Sequence, residues 1–146
     1  LSIIGRESKF NPTADDGNGH GLGQLTSSAT DELARIGRGG SNGTRAGLRP
    51  DTYAMLRTPE SRELFARVGT RSGRMNIRDN VMASAAYARV MMDTNSRRGA
   101  DVNVSGMLSN YNGAGGTIQR QYPGKVGQAY TQLWGGEMPA RIANGN

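Results

Sequence analysis

Apolar residues return along this chain at helical intervals, separated by polar stretches rich in glycine. Ser2 to Phe10 reads as a helix that stops at Asn11-Pro12, because proline disfavours helical geometry in the residue before it. Thr13 to Gly23 is polar and glycine-rich, hence a loop. Ala29, Leu33 and Ile36 recur at i, i+4, i+7 and predict a second helix over Ser28 to Ile36, with Ser28 and Asp31 as a capping pair. Gly37 to Gly47 has no periodicity and reads as a surface excursion. Pro50 and Pro59 suit first helical turns, and Leu64, Phe65 and Val68 follow the second before Gly69, so two short helices are expected.

Val81, Ala85, Ala88 and Met92 stripe a central helix over Asn80 to Met92, with small residues that permit close packing. Val104, Met107, Leu108 and Tyr111 form a further stripe, ended by Gly113 to Gly116, and Val126, Ala129, Tyr130 and Leu133 repeat it in a last helix. No period-2 alternation is sustained, so the expected fold is mainly α. The length of 146 residues suits one domain, taken as 1–134 with 37–78 as a basic, insertion-like segment and 135–146 as a tail or linker. The chain begins at Leu1 without Met, which suggests a piece of a larger protein, with any export signal outside it, and a monomeric domain is expected.

Composition narrows the chemistry. Without cysteine there is no disulfide, thiolate metal site or cysteine nucleophile, and one histidine makes a His-rich metal site unexpected. No window reaches the roughly 20 apolar residues of a membrane span. The net charge of +6 is unevenly placed: from Arg35 to Arg98 thirteen Arg face five acids (Asp51, Glu60, Glu63, Asp79 and Asp93), a local surplus of +8. Such a segment favours an anionic partner, whether nucleic acid, acidic lipid or envelope polymer. Met75, Met82, Met91 and Met92 read as core filling.

Glu7 stands out among the acids. Helical spacing sets it on one face with Ile3, Ile4 and Phe10, where desolvation favours the protonated form that a general acid needs. The alternative is an exposed Glu paired with Arg6.

The surrounding strings extend the first reading. Arg6-Glu7-Ser8-Lys9-Phe10-Asn11-Pro12 resembles the opening motif of lytic transglycosylases, in which a helix delivers the catalytic Glu. Gly21-Leu22-Gly23-Gln24 resembles that family's Gly-Leu-Met-Gln motif, and Leu108 to Gly115 (LSNYNGAG) its Ala-Tyr-Asn-Ala-Gly signature; Asn80 is a weaker echo of its Asn-Ile helix start. Asp15 to Gly21 is also similar to the Asp-x-Gly-Asn-Gly loop of goose-type lysozymes.

The resemblance implies a lysozyme-like domain with a glycan-binding cleft. It implies cleavage of the MurNAc-GlcNAc bond of peptidoglycan with Glu7 as catalytic acid and a 1,6-anhydro product, without cofactor or metal. Ser8, Gln24, Tyr111 and Asn112 would bind substrate, and Asp15 or Asp16 would be auxiliary carboxylates, with ordinary turn chemistry as the alternative for both. Thr26 stands where goose-type enzymes carry a second Asp, and Gly23, in place of Met, implies looser sugar packing. The partners implied are peptidoglycan strands and other anionic envelope polymers, with no nucleic acid expected, and the place of action is the periplasm, the envelope or a phage particle attacking it. A hydrolytic muramidase and a non-enzymatic basic binding module are the alternatives.

Overall fold

The structure is a computed structural model and describes residues 2–39, 48–97, 107–108, 111 and 116–135. Seven bounded helices and one small hairpin account for most of these residues, so the fold is mainly α. Helix α1 (Ser2–Ser8) precedes strands β1 (Gly19–His20) and β2 (Leu25–Thr26), which pair antiparallel as Gly19 with Thr26 and His20 with Leu25. Two-residue strands are too short to show an alternating pattern, which is why the sequence does not announce them.

Helix α2 (Ser27–Gly37) starts one residue before the predicted point. Its cap is Thr26, whose hydroxyl accepts from the Ala29 N–H at 3.2 Å, rather than Ser28. Leu33 and Ile36, on its inner face, are fully buried, each contributing roughly 1.5–3 kcal/mol by transfer from water. The two proline-started helices form as expected, α3 over Pro50–Leu56 and α4 over Pro59–Val68, and a five-residue turn, α5 (Arg71–Met75), follows. Together α3 and α4 place Leu56, Leu64, Phe65 and Val68 in the core against α2. The basic segment therefore builds part of the core; of its described arginines Arg57, Arg62, Arg67, Arg71 and Arg78 are exposed, whereas Arg74 is buried.

Helix α6 (Ile77–Arg97) extends beyond both predicted ends. Its buried face is also not the predicted one: Ala85 is exposed, whereas Asn80, Ala83, Ser84, Val90 and Met91 are buried. The stripe lies about one residue, roughly 100°, from where apolar periodicity puts it. Two of its members are polar because this face binds loop backbone as well as side chains. Met82 is likewise exposed rather than in the core.

Met107, Leu108 and Tyr111 are helical and buried, whereas Val104 and 113–115 lie outside the described residues, as do most of the Gly37 to Gly47 excursion (40–47) and nearly all of the tail. Helix α7 (Gly116–Trp134) carries Pro123 within it and is the principal packing partner of α1. No described helix is long and apolar enough to cross a membrane.

Candidate functional site

Helix α1 ends at Ser8, two residues earlier than predicted, because Lys9 and Phe10 both take left-handed backbone (φ 51° and 63°). Phe10 therefore leaves the face of Glu7: its ring folds back against Gly5 and stays 43% exposed. Glu7 itself is half-buried and opens into a cleft of about 600 Å³. The opposite wall comes from the loop and hairpin (Asp16 to Gly19, Gln24 to Thr26), with Tyr87 and Tyr111 also lining the space. Three strings far apart in sequence thus meet at one cavity of ligand-binding size.

The loop is built on Asn80, which is completely buried. Its amide donates to the carbonyls of His20 (2.8 Å) and Arg74 (2.7 Å), and its carbonyl oxygen accepts from the Gly23 N–H (2.7 Å). One side chain thereby satisfies three backbone groups that the fold hides from water. Gly21, at φ +72°, is where the loop comes down on this amide: a Cβ there would sit 2.5 Å from Asn80 Nδ2. A Cβ on Gly23 would overlap the Ser84 hydroxyl. The absent methionine side chain of the resemblance is therefore no open space for sugar, because α6 fills it.

Gln24, itself left-handed at φ 48°, donates through Nε2 to Gly21 O (2.8 Å) and Ala14 O (3.1 Å). Among the described residues its amide oxygen stays uncommitted, and it lies in the cleft wall. Tyr111 donates its hydroxyl to Gly23 O at 3.3 Å and meets the Tyr87 ring edge-on, with centroids 5.6 Å apart. Burial pushes the Tyr111 phenol well above its ordinary value; the neighbouring Ser84 hydroxyl opposes this, and the Glu7 charge adds to it. The phenol is thus a fixed hydrogen-bond donor within the electrostatic reach of Glu7.

The two loop carboxylates have different surroundings. Asp16 lines the cleft and accepts from the N–H groups of Gly19 (2.6 Å) and Asn18 (3.0 Å), which lower its pKa. Asp15 stays outside the cleft lining, held by the Arg71 guanidinium, by the Gly17 N–H at 2.9 Å, and 3.1 Å from His20 Nδ1. The Arg71 hydrogen bond, then that of Gly17, brings its carboxyl down to about 2. A carboxylate so stabilised is a weak base. Ser8 is buried and spends its hydroxyl on Ile4 O at 3.0 Å, capping its own helix instead of facing the cleft. Asn112 lies outside the described residues.

Other arginines are equally committed. Arg67 pairs with Asp79 at 2.7 Å, and Arg49 and Arg89 share the buried Asp93, each at 3.4 Å. Arg74 is buried and donates to Val68 O and Gly69 O, both at 3.2 Å, at the carbonyl end of α4, where a cation is favoured.

Sequence reasoning missed Ser84 and Tyr87. The available signal was a second, partly polar stripe, Asn80, Ser84 and Tyr87 at i, i+4, i+7, beside the apolar one. Among the described residues no three His, Asp or Glu side chains gather as a metal-ligating set. The chain matches no family model, no curated protein and no solved structure.

Proposed function

We propose that this chain is a lysozyme-like peptidoglycan-cleaving domain of lytic transglycosylase type, with Glu7 as the catalytic acid. The observation that carries the reading is the meeting of Glu7, the Asp16–Gly19 loop, Gln24 and Tyr111 around one cleft. Glu7 gives its proton to the oxygen linking N-acetylmuramic acid to N-acetylglucosamine as that bond breaks. The substrate's acetamido oxygen stabilises the anomeric carbon, as in substrate-assisted glycoside cleavage. The muramic acid 6-hydroxyl then closes on that carbon and returns its proton to Glu7, so the product is a 1,6-anhydro sugar and no water is consumed. Tyr111, permanently a donor, holds the loop at Gly23 beside the acid, and the Gln24 amide oxygen is available to a sugar N–H or hydroxyl.

A hydrolytic muramidase is the second reading, and Asp16 favours it, being a carboxylate in the same cleft. Asp15 does not, because Arg71 and His20 hold it. Thr26, at the place of the second goose-type Asp, commits its hydroxyl to capping α2. The test is mass spectrometry of digested peptidoglycan together with Glu7→Gln. Anhydro-muramic ends from the parent, and loss of at least a hundredfold in turnover by an equally stable variant, are expected. Reducing ends would transfer the assignment to hydrolysis, and near-normal turnover by the variant would remove Glu7 from it.

A further inference from the structure

Arg38, Arg57 and Arg62 differ from the committed arginines described above: each is exposed, and none makes an ion pair with a described residue. They gather around three consecutive positions at the end of α2. Arg38 follows the helix directly, a Cβ on Gly39 would lie 2.8 Å from Arg57 Nη2, and one on Gly37 would lie 3.6 Å from Arg62 Cγ. Arg57 is held over the Tyr53 ring, 5.0 Å from its centroid, so its planar group is already positioned. The carbonyl end of a helix supplies only about half a negative charge against these three cations. The surplus calls for an external anion with several acidic groups.

From this we infer that the α2 terminus docks the carboxylates of the peptide stems on the same strand whose sugars occupy the cleft, an inference that rests on the proposed function. Helix α2 measures the separation. Ser27, Ser28 and Ala29 line the cleft, and the patch begins ten residues after Ser28, about 15 Å away at 1.5 Å per residue. A peptide stem of four or five residues spans about 14–17 Å when extended, so a stem leaving a sugar in the cleft reaches the patch. Guanidinium groups suit its carboxylates because each offers paired N–H donors.

The test is co-sedimentation of the whole chain, in a Glu7→Gln background, with three probes at low and moderate salt. These are peptidoglycan stripped of attached phosphodiester polymers, the same glycan with its stems removed by an amidase, and duplex DNA. Arg38→Gln/Arg57→Gln/Arg62→Gln should bind stem-bearing glycan roughly tenfold more weakly at low salt, with a flatter salt dependence, and bind stem-free glycan like its parent. Replacing all three by Lys should restore part of the loss. If the triple variant melts early, Arg62→Gln alone, which leaves the ring contact intact, should show a smaller loss in the same direction. Equal binding of variant and parent to stem-bearing glycan, equal loss on both glycans, or a loss confined to DNA would each overturn the inference. Stem-dependent binding by a parent chain that releases no cleaved product would instead sink the proposed activity and leave the docking site standing.

Discussion

Replacing Asn80 by Ala should cost this protein more stability than any single substitution on the cleft surface. The truncation leaves three buried backbone groups, Gly23 N–H and the carbonyls of His20 and Arg74, without the partners they have at 2.7–2.8 Å. At roughly 1–2 kcal/mol for each abandoned group, the loss is about 4 kcal/mol. Water entering the vacated space would offset some of it. For a chain of this size, 1 kcal/mol shifts the melting point by about 3–5 °C, so the fall should be about 12–20 °C.

Urea unfolding should give a lower midpoint with an unchanged slope, and exchange of the Gly23 amide hydrogen should accelerate more than that of core amides in α2. Asn80→Asp adds a control of sign. Its carboxylate would face two carbonyl oxygens in a buried place, which raises its folded pKa above the unfolded value. Stability relative to the parent is then best preserved at acid pH and lost as pH rises through the folded pKa. A loss below about 1 kcal/mol for Asn80→Ala, or an Asp variant insensitive to pH, would refute the view that this amide fastens the loop.

Other substitutions test neighbouring contacts. Gly23→Ala should destabilise by about 2–3 kcal/mol because its Cβ meets Ser84, and Ser84→Gly in the same chain should recover part of that, as a double-mutant cycle of unfolding energies would report. Arg71→Gln should return the Asp15 carboxyl from about 2 toward its ordinary value, read directly by carboxyl NMR titration. Because the folded pKa is depressed, the Asp15 contribution to stability is present above about pH 4 and disappears as pH falls toward 2. The variant should therefore lose less stability than the parent across that window, and parallel acid curves would contradict the pairing.

Much of the helical order is written in local pattern. Pro50 and Pro59 start helices where first-turn geometry tolerates them, and Leu33 and Ile36 lie on the buried side of α2 as their spacing requires. What periodicity could not supply is the reason for a buried polar residue. Asn80 and Ser84 displace the true inner face of α6 from the apolar stripe, since Asn80 bonds loop backbone some sixty residues earlier in the chain and Ser84 packs where Gly23 of that loop comes down. The end of α1 was hidden for a related reason: Lys9 and Phe10 adopt left-handed backbone despite their side chains, which composition does not foretell. The convergence of Glu7, Gln24 and Tyr111 was legible only as a set of motifs in order, whereas the separation of Asp15 from Asp16 depended on Arg71, a tertiary partner.

The way α1 is attached gives the cleft two mechanically distinct sides. Glu7 belongs to a helix seated chiefly on α7, with Gly5 against Leu133, while the facing loop is riveted to α6 by Asn80. The gap between Glu7 and the loop is therefore set by the seating of α7, like a calliper whose fixed jaw is the loop. Small losses of packing between α1 and α7 would widen that gap by fractions of an ångström before they unfolded anything. Proton transfer, with its steep dependence on distance, would register such loosening earlier than calorimetry.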